Sequence, residues 1–257
     1  MVLVVCAILL LLSVGFIGSS GRERAKRAVC LKNLKQLTFA WQIYADDNQG
    51  KLVNGAPLGR AGYADPSTIP VQYGEIPWVG RCWADSYSIG VELAEDLQES
   101  AIKAGLLWPY LGKLAFYSCP AGYAGEMLNY AILDSMNGLR RTGATSPGVW
   151  IKNMAEIGQP HARAVFVDEG WLTPDSFATY FQRMNWWDAP PVRHGDGATL
   201  SFADGHVEHW QWKGAETIEF GRTWDRRYRF MYLQPGSPEG VEDLQRLQIA
   251  VWGMLGY

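Results

Sequence analysis

The pattern of apolar and polar positions changes character once along the first 45 or so residues. Residues 2–18 (VLVVCAILLLLSVGFIG) carry no charge, and Gly21–Arg27 (GRERAKR) adds a net charge of +3. From Ala28 onward Leu31, Leu34, Leu37, Trp41 and Tyr44 recur at steps of three and four. Apolar side chains on that spacing line one face of a helix, and that face needs a core to bury it. No proline interrupts the run from Met1 to Asp47. The pattern therefore predicts one continuous helix, roughly 70 Å long at 1.5 Å per residue. Its halves are an apolar, transmembrane one over 1–19 and an amphipathic one over 20–46, the latter belonging to a domain that runs 20–257. A cleaved signal peptide is the other reading of the apolar run, but its basic segment would precede the apolar residues, and here it follows them.

The polar stretch Ala45–Gly50 closes the helix on a glycine. Prolines at 57, 66, 70 and 77 then predict a long irregular segment over 51–92. Helical rhythm returns over Glu92–Leu114, with a break expected at Gly105 or Pro109. Ala162–Val167 (ARAVFV) reads as a buried strand ending in Asp168-Glu169, and residues 171–193 as a second aromatic-rich excursion. Asp204-Gly205 between ATLSFA and HVEHWQW predicts a hairpin over 198–212. A two-residue type I′ turn would pair Ala203 with His206 and Phe202 with Val207. Leu200, Phe202 and Val207 would then face the core, and Ser201, His206 and Glu208 the solvent. The sheet is expected within 162–212. Ser237-Pro238-Glu239 supplies a cap, a proline at the first helical position and an acid in the first turn, so a C-terminal helix is expected over 238–255.

Composition narrows the function. Net charge is −3, and the only basic cluster adjoins the apolar run, so nucleic acid is not an expected partner. The chain holds 12 Trp, 12 Tyr and 9 Phe, many of them in Gly/Pro-rich stretches, which reads as long loops pinned by ring packing; the other reading is exposed rings that stack on polysaccharide. Cys6 lies in the apolar half. Cys30, Cys82 and Cys119 remain, and in an oxidising compartment one disulfide among them would leave one free thiol, with three pairings open. No CxxC pair or Cys/His cluster has metal spacing, so zinc is not expected.

Three segments carry a resemblance. RAKRAVCLKNLKQLTFAWQIYADDNQGKL after an apolar helix, Cys119-Pro120, and RHGDGATLSFADGHVEHW together resemble bacterial type IV pilin-like and type II secretion pseudopilin-like proteins of the prepilin-type, processing-associated kind. The H-X9-DG motif of that family is here His194, Asp204 and Gly205. The resemblance implies an α+β, pilin-like fold in which the long N-terminal helix packs on a small antiparallel sheet with long aromatic-rich loops. It also implies a non-enzymatic structural subunit whose partners are the membrane, other pilin-like subunits and the secretion or pilus assembly machinery. The expected location is a single pass of the inner membrane with the C-terminal domain in the periplasm or at the cell surface, although the positive-inside rule, counted on Arg22, Arg24, Lys26 and Arg27, would place that domain in the cytoplasm. The chain departs from the family pattern at its start, with no glycine-ended basic leader and no acid before Glu23.

Against this stand a surface carbohydrate-binding protein that uses exposed Trp and, more remotely, a metal-dependent hydrolase built on His194, Asp204, His206, Asp168 and Glu169. No GxSxG, HExxH or phosphate loop is present. His194 and Asp204 flank a strand of roughly 17–20 Å, too far apart to share one ion, so the motif spacing reads as strand length. No catalytic residue and no cofactor is assigned. Calcium is retained as an ion for Asp168, Glu169, Asp196 and Asp204.

Overall fold

The computed structural model of the chain describes residues 2–57, 75–83, 93–140, 149–169, 175–223 and 233–257, of which residues 2–20 only as backbone. The loop expectation over 51–92 thus falls partly on residues 58–74 and 84–92, outside the described residues. The fold is α+β. Helix α1 (Val2–Asp47) lies on a four-stranded antiparallel sheet of order β1-β2-β3-β4, with strands Tyr130–Ile132, Ala164–Asp168, Gly197–Phe202 and Val207–Gln211. Helices α2 (Glu95–Lys103), α3 (Trp108–Leu111), the four-residue turn α4 (Arg193–Asp196), α5 (Ala215–Thr223) and α6 (Pro238–Trp252) complete the elements.

The sheet is covered on both faces, which decides where every strand residue points. Residues opposite one another in antiparallel strands share a face. Ile132 stands opposite Phe166, Phe166 opposite Ser201, and Ser201 opposite Val207, while Tyr130 stands opposite Asp168 and Thr199 opposite His209. This is the α1 face: the Thr38 hydroxyl donates to Ser201 Oγ at 2.6 Å, and Arg27 Nη1 lies 3.3 Å from His209 Nδ1. The other face carries Val167, Leu200, Ala198, Glu208 and Trp210, and α6 covers its edge. There the Arg246 guanidinium sits 3.8 Å from the Trp210 ring centroid and 3.8 Å from Glu208. Leu34, Leu37, Trp41 and Ala45 of α1 are buried in one core with Trp78, Tyr117, Phe166 and Ile102. Trp78 stacks on Tyr117 (6.0 Å) and meets Phe166 edge-on (5.4 Å), so these rings are pinned by packing.

Several expectations are corrected by this arrangement. The hairpin loop has three residues, not two. Ser201 pairs with Val207, Gly205 N–H donates to Phe202 O (2.8 Å) and Phe202 N–H to His206 O (3.0 Å). Gly205 has φ +93 whereas Asp204 has no positive φ, so the turn is a tight turn closed by a left-handed glycine, the common three-residue hairpin. Ser201 does not face solvent, because the face opposite Leu200 is the one α1 occupies. The strand expected over 162–167 begins at Ala164 after a short 3₁₀ turn at Pro160–Ala162. Strand β1 was not foreseen. The helical rhythm of 92–114 is broken near Gly105, as expected, into α2 and α3, because Gly105 lies so close to the Trp78 backbone that a β-carbon would collide with Trp78 O.

The single-pass placement in the inner membrane is also withdrawn: among the described residues no helix is long and apolar enough to cross a membrane.

Helix α6 forms where its caps predict. Ser237 Oγ accepts from Gly240 N–H (3.0 Å), Pro238 opens the first turn, and Gly253 (φ +83) closes the last. Arg163 Nη2 donates to Val251 O at 2.9 Å, so a guanidinium lies at the negative end of this helix, and burial lowers its pKa to about 10. Leu37 and Phe39 test the division of α1 into a buried and an open face. Leu37→Ala should cost about 2–5 kcal/mol by leaving a cavity, whereas Phe39→Ala, at a side chain 60% exposed, should stay within about 0.5 kcal/mol. Urea denaturation of both variants checks this.

Candidate functional site

One group of side chains on the α1 face is polar, buried and convergent. Cys30 comes from α1, Cys119 from the loop after the 3₁₀ turn Leu114–Phe116, Asp168 from the end of β2, and His194 from α4. All four are buried. The ligand atoms of Cys30, Cys119 and His194 lie within 4.8 Å of one another. Cys119 Sγ is 3.2 Å from His194 Nε2, Asp168 Oδ2 is 3.4 Å from the same nitrogen, and Cys30 Sγ is 3.9 Å from Asp168 Oδ2.

Local structure explains how each side chain arrives. His194 (φ 39) and Gly195 (φ 79) both adopt left-handed backbone, which turns the chain sharply between the preceding loop and β3. The turn is braced from β4, where His209 Nε2 donates to His194 O at 2.9 Å and its Nδ1 faces Arg27. Burial and then the Arg27 charge lower the His209 pKa, in keeping with a neutral ring bridging the two. Cys119 is fixed through its backbone, since its N–H donates to Asn129 Oδ1 at 2.9 Å. Asp168 Oδ1 accepts from Thr199 N–H at 2.6 Å, so one carboxylate oxygen extends the strand ladder and the other is left for the cluster.

The electrostatics follow from packing these groups away from water. Burial pushes Asp168 up to about 7, against the pull of His194. Burial likewise raises the Cys30 thiol well above its ordinary value, reinforced by Cys119 and Asp168. Cys119 moves the other way, to about 4, because hydrogen bonds from Cys30 and His194 outweigh burial. Burial disfavours the His194 cation, but the Cys119 hydrogen bond and the Asp168 charge lift its pKa above the ordinary value.

The cluster is not a catalytic triad. In a nucleophile–histidine–carboxylate arrangement the nucleophile and the carboxylate occupy opposite ring nitrogens. Here Cys119 and Asp168 both approach Nε2, while His194 Nδ1 is buried and has no hydrogen-bond partner among the described residues.

The two ends of the H-X9-DG motif have different neighbours. His194 joins the thiols, while Asp204 and Gly205 form the hairpin tip at the other end of β3. That tip is fastened to α1 by Gln42 Nε2 donating to Ala203 O (2.9 Å), and it borders an open groove with Lys35, Gln36 and Phe39. Asp204 Oδ1 accepts from His206 N–H (3.1 Å) and lies 2.6 Å from His206 Nδ1. Comparison with protein-family models, curated proteins and solved structures gives no match for the chain.

The calcium candidates are dispersed. Asp168 belongs to the cluster, Asp196 pairs with Arg222 through both carboxylate oxygens (2.7 Å each), and Asp204 pairs with His206. Glu169 is buried, and its backbone N–H donates to Asn129 O. Cys82 is a free thiol apart from the others, its Sγ 3.8 Å from Gly80 O, and burial raises its pKa. Cys30 and Cys119 are free thiols side by side. Sequence reading considered these two only as disulfide partners. The available signals were the Cys-Pro at 119 and the motif His, but 75 residues separate Cys119 from His194, and no local spacing announces their meeting.

Asp204 offers a pH test of the tip. Slight burial raises its pKa, but the hydrogen bonds from His206 outweigh this and hold it below the ordinary carboxylate value. A carboxylate depressed in the folded state stabilises above its unfolded pKa, and that contribution disappears as pH falls through the folded value. Asp204→Asn should therefore be less stable than the parent at neutral pH, with the gap closing below about pH 4. Thermal melts across an acid pH series read it directly.

Proposed function

We propose that the chain is a non-enzymatic, pilin- or pseudopilin-like structural subunit of an assembly of the type II secretion or type IV pilus kind. One observation carries this reading: the domain uses only part of its long helix. Helix α1 runs from Val2 to Asp47, residues 21–29 are exposed or half-exposed, and Cys30 is its first buried described residue. Upstream of it the sequence 2–18 is wholly uncharged. An uncharged helical segment that continues from this exposed stretch is suited to side-by-side packing with the same segment of further copies. The subunit's own sheet, covered by α1 on one face and flanked by α6 at the edge of the other, holds the helix.

The polysaccharide reading gains nothing from the rings described, since each of the ten described tryptophans is buried or half-buried; Trp171 and Trp224 lie outside the described residues. The hydrolase reading has no substrate-facing group at the cluster, whose members are all buried.

Cys6 is the one thiol in the apolar segment, and it makes assembly measurable. A short bis-maleimide should link full-length chains through Cys6 into covalent dimers, the limit that one reactive thiol per chain allows, and Cys6→Ser should remove them. Leu10→Lys with Leu11→Lys should abolish the dimers and the higher assemblies seen by sedimentation while leaving the thermal melt of the domain unchanged. A full-length chain that sediments as a monomer at every concentration and yields no cross-linked dimer would contradict the proposal.

A further inference from the structure

We infer that Cys30, Cys119 and His194, with Asp168 as the fourth group, form a closed, structural zinc site that fastens the long helix to the sheet.

The argument starts from convergence. Sidedness at His194 is the first observation: a thiol sulfur and a carboxylate oxygen crowd the same Nε2 at 3.2 and 3.4 Å. Three groups whose lone pairs point to one place are better organised around a cation than around one another's protons. With Zn–S near 2.3 Å and Zn–N or Zn–O near 2.0–2.1 Å, the edges of a tetrahedron are roughly 3.3–3.8 Å. The ligand atoms of Cys30, Cys119 and His194 lie within 4.8 Å of one another, with the Cys119–His194 edge at 3.2 Å. Asp168 Oδ2 is 3.4 Å from His194 Nε2 and 3.9 Å from Cys30 Sγ but lies farther from Cys119, so it would swing toward the ion as the fourth ligand.

Donor chemistry selects the ion. Two thiols with an imidazole suit zinc, and the hard, oxygen-seeking calcium and magnesium are poorly served by sulfur. Two thiolates, one carboxylate and a neutral imidazole around Zn²⁺ leave a single net negative charge, next in sequence to Arg193, which pairs with Glu126 at 3.6 Å.

The groups around the sulfurs are those a metal thiolate requires. Tyr130 O–H donates to Cys30 Sγ at 3.3 Å, Thr199 Oγ1 lies 3.1 Å from the same sulfur, and Ala121 N–H donates to Cys119 Sγ at 3.4 Å. Donors aimed at sulfur stabilise a bound thiolate and orient it. They would contribute little to a Cys30–Cys119 disulfide, whose sulfurs are weak acceptors. Finally, all four groups are buried and come from four separate chain segments. A closed site with protein ligands throughout is the structural kind, without the open position that catalysis needs.

The site is tested on the full-length chain purified without chelator and supplied with zinc alone. One zinc per chain should survive desalting and be released when the thiols are modified with a mercurial. Cobalt in place of zinc should give the intense visible bands of tetrahedral, thiolate-ligated cobalt, a readout that depends on no variant. Cys119→Ser and His194→Ala should each lose the metal, and Tyr130→Phe, which removes only a donor to Cys30, should weaken zinc binding about 10–100-fold. Absence of stoichiometric zinc, a cobalt spectrum of six-coordinate oxygen ligation, an intact Cys30–Cys119 disulfide by mass, or full zinc retention by Cys119→Ser would each overturn the inference.

Discussion

The rest of the structure depends on the seating of residues 30–45 of α1 along strand β3. The two elements run side by side and touch at three levels. Cys30 meets Thr199, Thr38 donates to Ser201, and Gln42 donates to Ala203. On the helix these contacts span twelve residue steps, about 18 Å at 1.5 Å per residue, and on the strand four, Thr199 to Ala203, about 13 Å at 3.3 Å per residue. The two ends of the H-X9-DG motif flank this contact, His194 beside Cys30 and Gly205 beside Gln42. Apolar burial around Leu34, Leu37 and Trp41 supplies the driving force, and the polar contacts fix the axial position, because a sliding helix would break the buried Thr38–Ser201 and the Gln42–Ala203 hydrogen bonds.

A polar knot inside a core is costly unless each group is satisfied. At the Gln42 end the contacts are simple amide hydrogen bonds beside solvent. At the Cys30 end a carboxylate, an imidazole and two thiols are buried together, and both the crowding of Cys119 and Asp168 on one nitrogen and a His194 Nδ1 with no hydrogen-bond partner among the described residues distinguish this end from ordinary core packing. Arg27 and His209 extend the same end outward by linking the exposed start of the seated helix to the backbone of His194. Chain segments far apart in sequence thus depend on a few side chains at one end of the helix–strand contact, which is the end nearest the part of α1 the domain leaves uncovered.

Much of this architecture was legible from residue patterns. The period of Leu34, Leu37 and Trp41 marked the buried face of α1, Ser237-Pro238 marked the start of α6, and Asp204-Gly205 marked a hairpin, because caps, turns and periodicity are local. The hairpin's register was misread since the same Asp-Gly pair fits a two-residue and a three-residue loop, and only the pairing of Ser201 with Val207 separates them. Ser201 was assigned to solvent because a strand alone shows alternation, not what covers its second face. Strand β1 escaped because its three residues are too few to show a period. The thiol–imidazole cluster was illegible for a different reason. Its members are brought together by sheet order and by the left-handed turn at His194, neither of which is written in the spacing of cysteines.

The central claim is that His194 acts on the helix and not merely on its own turn. Native-state hydrogen exchange followed by mass spectrometry, comparing the parent chain with His194→Ala, tests it most directly. The account predicts that protection falls together in residues 30–45 of α1 and in β3, as one cooperative unit, while α6 keeps the parent's exchange. A change confined to the turn at 193–197, with residues 30–45 exchanging as in the parent, would contradict it.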